Sequence, residues 1–378
     1  MIEPALLEVE TSPRDSLVWD DWRSQLRHSI KTIAELRQWI NLTPTEEEAI
    51  QACSGKYRWS ITPYYASLMD PDDPNCPIRR QAVPSPLELL PFPTASIDPV
   101  GDMDHRKTRR VVHKYPDRVI MLVTDACPVY CRHCTRKYHT TDLQGTYLGE
   151  RAGPDWEKDF EYIEQTPQIR DVLLTGGDPL TLGDNTLAWI IRRLRQIPHV
   201  EIVRIGTRYP VLLPQRITPE LCRILDQYQP IWLNTHFNHP KEITSEAAAA
   251  CDRLLRHGVP VQNQTVLLEG INDDLEMMRK LVTGLLKIRV RPYYIYHCDN
   301  VTGVSHFATS IERGREIMRG LVGHSTGFAI PHYVLTTPLG KIPLWEDNLN
   351  RENGHIWIEN YQGQRMDISD FVARPEEI

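Results

Sequence analysis

RVIMLVTDACPVYCRHCTRK, residues 118–137, joins a short apolar run to three closely spaced cysteines. The run RVIMLVT (118–124) has the length and composition of a buried strand. Cys127, Cys131 and Cys134 follow it in Cys-x3-Cys-x2-Cys spacing, in the loop to which such a strand would lead. Thiolates this close together favour binding of a metal ion or a metal cluster. The segment therefore predicts a metal site at the carboxyl end of a strand.

Five further apolar runs of strand length follow, separated by amphipathic stretches with helical spacing. They are DVLLTGG (171–177), EIVRIGT (201–207), IWLNTHF (231–237), VQNQTVLL (261–268) and VRPYYIY (290–296). Six successive strand-and-helix units predict an α/β fold, a partial (β/α)6 barrel of parallel strands joined by right-handed crossovers. A doubly wound open sheet has the same pattern and is the alternative. In either fold, ligands bind at the carboxyl ends of the strands.

The chain is predicted to divide into three regions. Residues 1–110 form the N-terminal region. It begins as a helical segment and continues from 69 to 110 as an extended strap, in which frequent Pro and Asp prevent regular structure. Residues 111–330 form the barrel. Residues 331–378 form a short C-terminal extension, in which HIWIENYQGQRMDI (355–368) predicts a small hairpin around a Gln-Gly turn.

The composition excludes several classes of protein. Of 378 residues, 41% are hydrophobic and 25% are charged, which is typical of globular chains and not of disordered or fibrous ones. A net charge of -7 gives no general attraction to nucleic acid or to an anionic membrane. The N-terminus does not resemble a signal peptide, no apolar run approaches the roughly 18 residues of a membrane span, and eight cysteines are too sparse for a disulfide scaffold. A cytoplasmic protein is expected.

The number of clustered cysteines distinguishes two kinds of metal site. Three thiolates on a [4Fe-4S] cluster leave one iron open, and that iron can chelate a small molecule through an amino nitrogen and a carboxylate. The alternative is a structural zinc ion with His133 or His139 as fourth ligand. Zinc sites usually combine two separated pairs of ligands, and the sequence contains no second pair. A cysteine triplet after the first strand of a barrel is instead typical of radical S-adenosylmethionine (SAM) enzymes.

Residues 55–345 closely resemble the lysine 2,3-aminomutase family of radical SAM enzymes that use pyridoxal phosphate (PLP). The similar segments are ITPYYASLMDPDDPNCPIRRQAVPSPLEL, HKYPDRVIMLVTDACPVYCRHCTRK, RDVLLTGGDPL, PHVEIVRIGTRYPVLLPQRITPEL, WLNTHFNHPKEIT and RVRPYYIYHCDNVTGVSHF. The resemblance implies that Cys127, Cys131 and Cys134 hold the [4Fe-4S] cluster. It also implies SAM contacts from the segment Gly176, Gly177 and Asp178 and from His236. Glycines at this position allow close backbone approach to a ligand.

The same resemblance implies a PLP site. Lys341, in TTPLGKIPL, matches the lysine that binds the PLP aldehyde, and its flexible amine suits that chemistry. Lys114, Tyr115 and Arg118 match the residues that bind the phosphate, with Lys114 in place of an arginine. The sequence departs from the family pattern just before Lys341, where Pro338, Leu339 and Gly340 replace a run of glycines.

The substrate contacts implied by the family are only partly present. Arg136 matches the arginine that binds the substrate carboxylate, and Gln264 matches a second residue of that pocket. Asp299 matches one of two aspartates that bind the distal ammonium of lysine, whereas Thr336 stands in place of the other. One carboxylate still balances one ammonium, so the sequence favours a basic side chain over an acidic one.

The expected activity is therefore an isomerase reaction that moves the α-amino group of a free, basic amino acid to its β carbon. Lysine is the first expectation, with arginine or ornithine in secondary metabolism, or β-lysine for the modification of translation elongation factor P, as alternatives. A non-catalytic iron-sulfur or zinc protein is the alternative from another class. The expected partners are a small amino acid, an electron donor such as flavodoxin or ferredoxin, and further copies in a homo-oligomer.

Overall fold

A curved sheet of nine strands forms the centre of the protein, and three further strands pair near the C-terminus. The computed structural model describes residues 17–141, 156–337, 340–344, 349–353, 355–359 and 362–367. The strands are β1 (Val111–Tyr115), β2 (Arg118–Thr124), β3 (Asp171–Gly176), β4 (Ile202–Gly206), β5 (Ile231–Thr235), β6 (Val261–Leu267), β7 (Arg291–His297), β8 (His332–Thr337), β9 (Gly340–Pro343), β10 (Leu349–Glu352), β11 (His355–Glu359) and β12 (Arg365–Asp367).

The order of the strands confirms the barrel-like prediction. Strands β2 to β8 are parallel and neighbour one another in chain order, whereas a doubly wound sheet reverses its order at a switch point. The antiparallel strands β1 and β9 lie at the two edges. The six predicted strand-and-helix units are β2 to β7 with their helices, and β8, from the region assigned to the C-terminal extension, adds a further parallel strand. The predicted C-terminal hairpin is β11 paired with β12, and β10 adds a third strand to it.

Helices connect the parallel strands, as the amphipathic stretches predicted. The helices are α1 (Trp22–Arg27), α2 (Ile33–Leu36), α3 (Pro44–Ser54), α4 (Pro63–Ser67), α5 (Pro77–Ala82), α6 (Lys137–Thr140), α7 (Trp156–Glu164), α8 (Asp184–Arg195), α9 (Tyr209–Leu212), α10 (Pro219–Gln227), α11 (Ser245–Arg256), α12 (Leu275–Lys287) and α13 (Ile311–Leu321). Helix α3 begins where a capping box predicts, since Thr43 accepts a hydrogen bond from Glu46 N and the Glu46 carboxylate accepts one from Thr43 N. Within the described ranges, no helix has the length and hydropathy needed to cross a membrane.

The two-residue period of the strands separates the core from the interior of the barrel. In β6, Val261, Asn263, Thr265 and Leu267 are buried, whereas the alternate side chains are half-buried. Those alternate residues, Gln262, Gln264 and Val266, border a cavity inside the curved sheet. The apolar faces of the surrounding helices cover the outer side of the sheet. The sequence thus builds a packed outer layer and a polar interior from the same strands.

The strap is more regular than predicted. It contains α5 and a single 3-10 turn, Pro86–Leu89, because proline is tolerated in the first turn of a helix. Within that turn, the buried Glu88 carboxylate accepts hydrogen bonds from Arg132 Nε at 2.8 Å and from Lys137 Nζ at 2.6 Å. Burial raises the pKa of Glu88, but the Arg132 and Lys137 cations outweigh burial and hold this pKa at about 2. The strap is therefore fastened to the loop that carries the three cysteines.

Candidate active site

A cavity of about 880 Å³ runs through the interior of the barrel. It extends from the first residues of β2, β3 and β4 to the loops that follow their carboxyl ends. Every residue predicted to bind the cluster, SAM, PLP or the substrate borders this cavity. The structure thus brings together residues from β1 to β9, although their individual roles stay predictions.

The three cysteines of the loop after β2 are free thiols. Cys131 Sγ accepts a hydrogen bond from Arg208 Nη1 at 2.9 Å, and Cys134 Sγ lies 3.8 Å from Thr140 Oγ1. Burial raises the pKa of the Cys127 and Cys134 thiols, and neighbouring Sγ atoms raise it further. These thiols therefore stay protonated in metal-free protein, and a bound metal must displace their protons.

The donor set fits a cluster better than a single zinc ion. Among the described residues, no group of three or more Cys, His, Asp or Glu side chains is arranged to hold one metal ion. The two histidines considered as zinc ligands face other groups: His133 Nε2 lies 3.2 Å from Asn238 Nδ2, and His139 Nε2 lies 3.3 Å from Thr124 O. Zinc requires its ligands around one centre, whereas the thiolates of a four-iron cluster bind separate irons.

The cysteine loop requires two glycines, Gly176 at the end of β3 and Gly177 directly after it. Gly177 N donates a hydrogen bond to Thr124 O at 2.6 Å, and a Cβ atom added at Gly177 would lie 2.4 Å from Ala126 O. Gly176 has a φ of +116°, and a Cβ atom there would lie 2.5 Å from Thr124 O. Close approach of two backbones therefore explains both glycines, and their SAM contact stays a prediction.

We expect Gly177→Ala to reduce both stability and cluster content, because the added methyl group must displace the backbone at Ala126. Overpacking of this kind costs about 1–3 kcal/mol. Thermal unfolding of the metal-free protein and iron content after anaerobic reconstitution measure the two effects. Gly55→Ala is the matched control, since nothing lies within 4 Å of a Cβ atom there. Wild-type stability and full iron content in Gly177→Ala would contradict this explanation.

Asp178 connects the loops that follow β3 and β4. Its carboxylate accepts hydrogen bonds from Thr207 Oγ1 at 2.6 Å, Arg208 N at 2.7 Å and Leu180 N at 3.1 Å. Burial raises the pKa of Asp178 to about 6, although these three donors act in the opposite direction. The carboxylate is therefore largely used in positioning the two loops.

His236 presents an unpaired nitrogen inside the site. Its Nε2 atom is buried without a hydrogen-bond partner, and its ring makes an edge contact with His133 at a centroid distance of 5.4 Å. Burial, together with the Arg208 cation, lowers the pKa of His236 to about 3, so the imidazole is neutral. A buried polar atom that lacks a partner indicates a ligand, and His236 fits the SAM contact that the sequence predicts.

Lys341 is held at the cavity by the β8–β9 hairpin, in which it pairs with Thr336. Its backbone N donates to Tyr115 Oη at 3.0 Å. Its Nζ atom lies 5.3 Å and 5.4 Å from the ring centroids of Tyr294 and Tyr296. The loop residues 338–339, where the sequence departs from the family pattern, lie outside the described residues.

The environment of Lys341 fits an aldehyde cofactor that carries a phosphate. Lys341 is exposed along the open cavity, yet the cavity wall removes part of the water around its amine. This desolvation lowers the pKa of Lys341 to about 8, and the cations of Arg204, Arg118 and Arg136 contribute to the shift. Lowering the pKa increases the fraction of neutral, nucleophilic amine near pH 7. The guanidinium of Arg118 lies 3.9 Å from the Tyr115 ring centroid, at the cavity wall. Cations that disfavour an ammonium favour an anion at the same place.

Two further cations of this region have partners within the protein. Lys114 Nζ donates to Val100 O at 2.7 Å and to Thr337 O, so it joins the strap to the hairpin, and its phosphate contact stays a prediction. Arg204 was not predicted, yet it borders the cavity and is paired with Asp171 at 2.8 Å. An arginine inside the apolar run EIVRIGT was the signal for an interior cation.

The predicted substrate residues form a separate group of charges. Arg136 Nε is paired with the buried Asp102 carboxylate at 2.7 Å. Asp299 Oδ2 accepts a hydrogen bond from Thr135 Oγ1 at 2.6 Å, whereas Asp299 Oδ1 is buried and has no partner. Burial raises the pKa of Asp299 to about 6, despite the opposing effects of Thr135 and the nearby cations. Asp102 was missed because nothing distinguishes it from the other aspartates of the strap.

Comparison with known proteins agrees with this site. Residues 121–282 match the model of the Radical SAM superfamily. The chain is 49% identical to L-lysine 2,3-aminomutase from Clostridium subterminale, over 91% of this chain and 83% of that protein. It is 47% identical to the enzyme of the same name from Acetoanaerobium sticklandii, over the same shares. It is 42% identical to glutamate 2,3-aminomutase from Clostridioides difficile, over 94% of this chain and 84% of that protein.

The barrel, its cysteine loop and these matches define a radical SAM enzyme, a class that uses a [4Fe-4S] cluster and SAM. Within that class, the chain belongs to the lysine 2,3-aminomutase family, whose members are PLP-dependent isomerases. The predicted class of enzyme, its reaction type and its three cofactors are thereby confirmed.

Proposed function

We propose that this enzyme moves the α-amino group of a free basic amino acid to the β carbon, and that lysine is the first candidate substrate. The observation that carries the proposal is Asp299 Oδ1, a buried carboxylate oxygen without a partner at the wall of the cavity. A buried charge of this kind is costly unless it is paired. The ammonium of a basic side chain would pair it, whereas the carboxylate of a glutamate side chain would be repelled.

The ligand groups are assigned as follows. Cys127, Cys131 and Cys134 would hold the cluster, and the backbone at Gly176 and Gly177, with His236, would contact SAM. Lys341, Lys114, Tyr115 and Arg118 would hold PLP. When bound, the cluster and SAM supply a carbon radical that removes hydrogen, and PLP supplies an aldehyde that carries the migrating amino group. The chain itself orients these groups and excludes water from the barrel.

The two ends of the substrate meet different residues. Arg136 is oriented through Nε by Asp102, and a guanidinium so oriented suits two-pronged binding of the α-carboxylate. Gln264 and Thr336 border the same cavity as neutral groups. A second aspartate in place of Thr336 would make one more charge-assisted contact to the ammonium, worth roughly 1.5–3 kcal/mol. Lysine should therefore bind more weakly than in such a site, and arginine and ornithine remain competing substrates.

A panel of amino acids tests the proposal. Reduced enzyme with SAM and PLP is incubated separately with lysine, ornithine, arginine, glutamate and alanine, and β-amino products are identified by mass spectrometry. We expect product from basic amino acids, a loss of at least tenfold in kcat/KM in Asp299→Asn, and a gain for lysine in Thr336→Asp. Product from glutamate alone would refute the proposed substrate class but not the family assignment.

The proposal also includes an electron donor and a cellular compartment. A flavodoxin or a ferredoxin would supply single electrons to the cluster, and the enzyme would work in the cytoplasm. The reducing conditions of that compartment suit eight free cysteines.

A further inference from the structure

Arg208 is a buried arginine that the assigned roles leave unexplained. It follows β4, and its guanidinium contacts three functional elements at once. Nη1 donates to Cys131 Sγ at 2.9 Å, and Nε donates to His236 O at 2.9 Å. Nη2 donates to Gln81 Oε1 at 2.6 Å and to Glu242 Oε1 at 2.7 Å. These contacts fix the guanidinium in one orientation, with one edge directed at a sulfur atom.

Arg208 is paired with the carboxylate of Glu242, which has other hydrogen-bond donors as well. The buried Glu242 carboxylate also accepts hydrogen bonds from Tyr65 Oη at 2.8 Å, Asn238 N at 2.6 Å and His239 N at 3.1 Å. Glu242 pairs with Nη2 of Arg208, whereas Nη1 donates to Cys131 Sγ. In this buried setting the cation acts on Cys131 at a low effective dielectric, which strengthens their interaction.

The contact at Cys131 differs from the contact at Cys134. The Cys134 sulfur faces a neutral hydroxyl, Thr140 Oγ1, at the longer distance of 3.8 Å. An N–H donor from a cation stabilises added negative charge on a sulfur ligand more than a neutral group does. Hydrogen bonds to the sulfurs and local charge are the features by which a protein adjusts the reduction potential of an iron-sulfur cluster.

We propose that Arg208 is a positioning residue that raises the reduction potential of the cluster through a charge-assisted hydrogen bond to Cys131 Sγ. The step concerned is transfer of one electron from an external low-potential donor to the oxidised cluster, which gains one negative charge. Arg208 stabilises that charge and thereby favours the reduced form. The inference rests on the proposed role of Cys131 as a cluster ligand.

The test is a redox titration of reconstituted enzyme without SAM, with dithionite as reductant and the reduced cluster followed by electron paramagnetic resonance. In Arg208→Gln we expect a ratio of reduced to oxidised cluster about tenfold lower at a given potential, equivalent to a midpoint about 59 mV more negative. Arg208→Lys should give a smaller shift in the same direction. Thr140→Val, beside Cys134, is the control and should shift the ratio much less.

Full cluster content with an unchanged midpoint in both Arg208 variants would overturn the proposal. If these variants assemble no cluster, wild-type enzyme grown with ¹⁵N-arginine decides the question, and Arg208 should appear as a nitrogen coupled to the reduced cluster. Absence of that coupling would also overturn the proposal. The ligand assignment is tested separately, since a Cys131→Ala protein with ordinary cluster content would refute the role of Cys131 itself.

Discussion

Alanine at Cys127, Cys131 or Cys134 is expected to abolish the formation of 5′-deoxyadenosine from SAM, the largest loss that any single substitution in this chain should cause. Each thiolate is proposed to hold one iron, and a cluster with only two protein ligands cannot keep the open iron in place. Enzyme is reconstituted with iron and sulfide under anaerobic conditions and reduced with dithionite. Iron content and 5′-deoxyadenosine are then measured in the same samples.

The metal-free proteins separate loss of the cluster from loss of the fold. The thiols of Cys127 and Cys134 are half-buried and have raised pKa values, so they are neutral in metal-free protein and their removal discards no charge. The thermal unfolding of these two variants should therefore stay close to that of the wild type, whereas Cys131→Ala removes an acceptor of the buried Arg208 and should lose some stability. Cys251→Ala is the matched control, because Cys251 is buried in α11 outside the cavity and should lose some stability but keep its iron. Formation of 5′-deoxyadenosine in a triple alanine variant would refute the assigned cluster site.

Alanine at Lys341 is expected to remove covalently held PLP and nearly all aminomutase activity. Borohydride reduction of wild-type enzyme loaded with PLP should fix the cofactor to Lys341, and peptide mass spectrometry should locate it there. Lys287→Ala, an exposed position at the end of α12, is the control and should keep both cofactor and activity. Fixation at a different lysine would show that the hairpin holds Lys341 for another purpose.

The pH dependence of PLP capture follows from the lowered pKa of Lys341. Only the neutral amine reacts, and desolvation with nearby arginines brings its pKa to about 8 from an ordinary value of 10.5. The rate of capture should therefore rise as pH increases from 6 and level off above about 8. A rate that continues to rise towards pH 10 would mean that the amine is solvated. Stopped-flow absorbance of PLP added to metal-free enzyme measures this profile.

The sequence predicted the parallel strands well because their apolar runs have a strong local signal. Strands β2 to β7 lie within a residue or two of the six predicted runs, since each run is buried between helices and the barrel interior. Strand β8 was not among the predicted runs, because HYVLTT is not followed by an amphipathic stretch like those of the earlier units. Helix α5 was missed because proline was read as a breaker, although it stands in the first turn.

The polar contacts behind the site could not be predicted from local sequence. Gln81, Arg208 and Glu242 form one buried network, although more than 30 residues separate each from the next along the chain. Glu88 and Arg132 are 44 residues apart in sequence. Such pairs depend on tertiary folding, which brings the strap against the cysteine loop. Lys114 was predicted to bind phosphate from its family position, and local sequence could not show that its ammonium also bonds to Val100 O and Thr337 O.

Lys114 and Tyr115 of β1 also determine how the barrel closes. The two edge strands of the nine-stranded sheet share no backbone ladder, and the Lys114 bond to Thr337 O and the Tyr115 bond to Lys341 N span the gap between them. The Tyr115 bond contributes about 1 kcal/mol net, and the charge-assisted Lys114 bond contributes about 1.5–3 kcal/mol. Loss of either bond would therefore loosen the wall beside Lys341 without breaking a strand pairing.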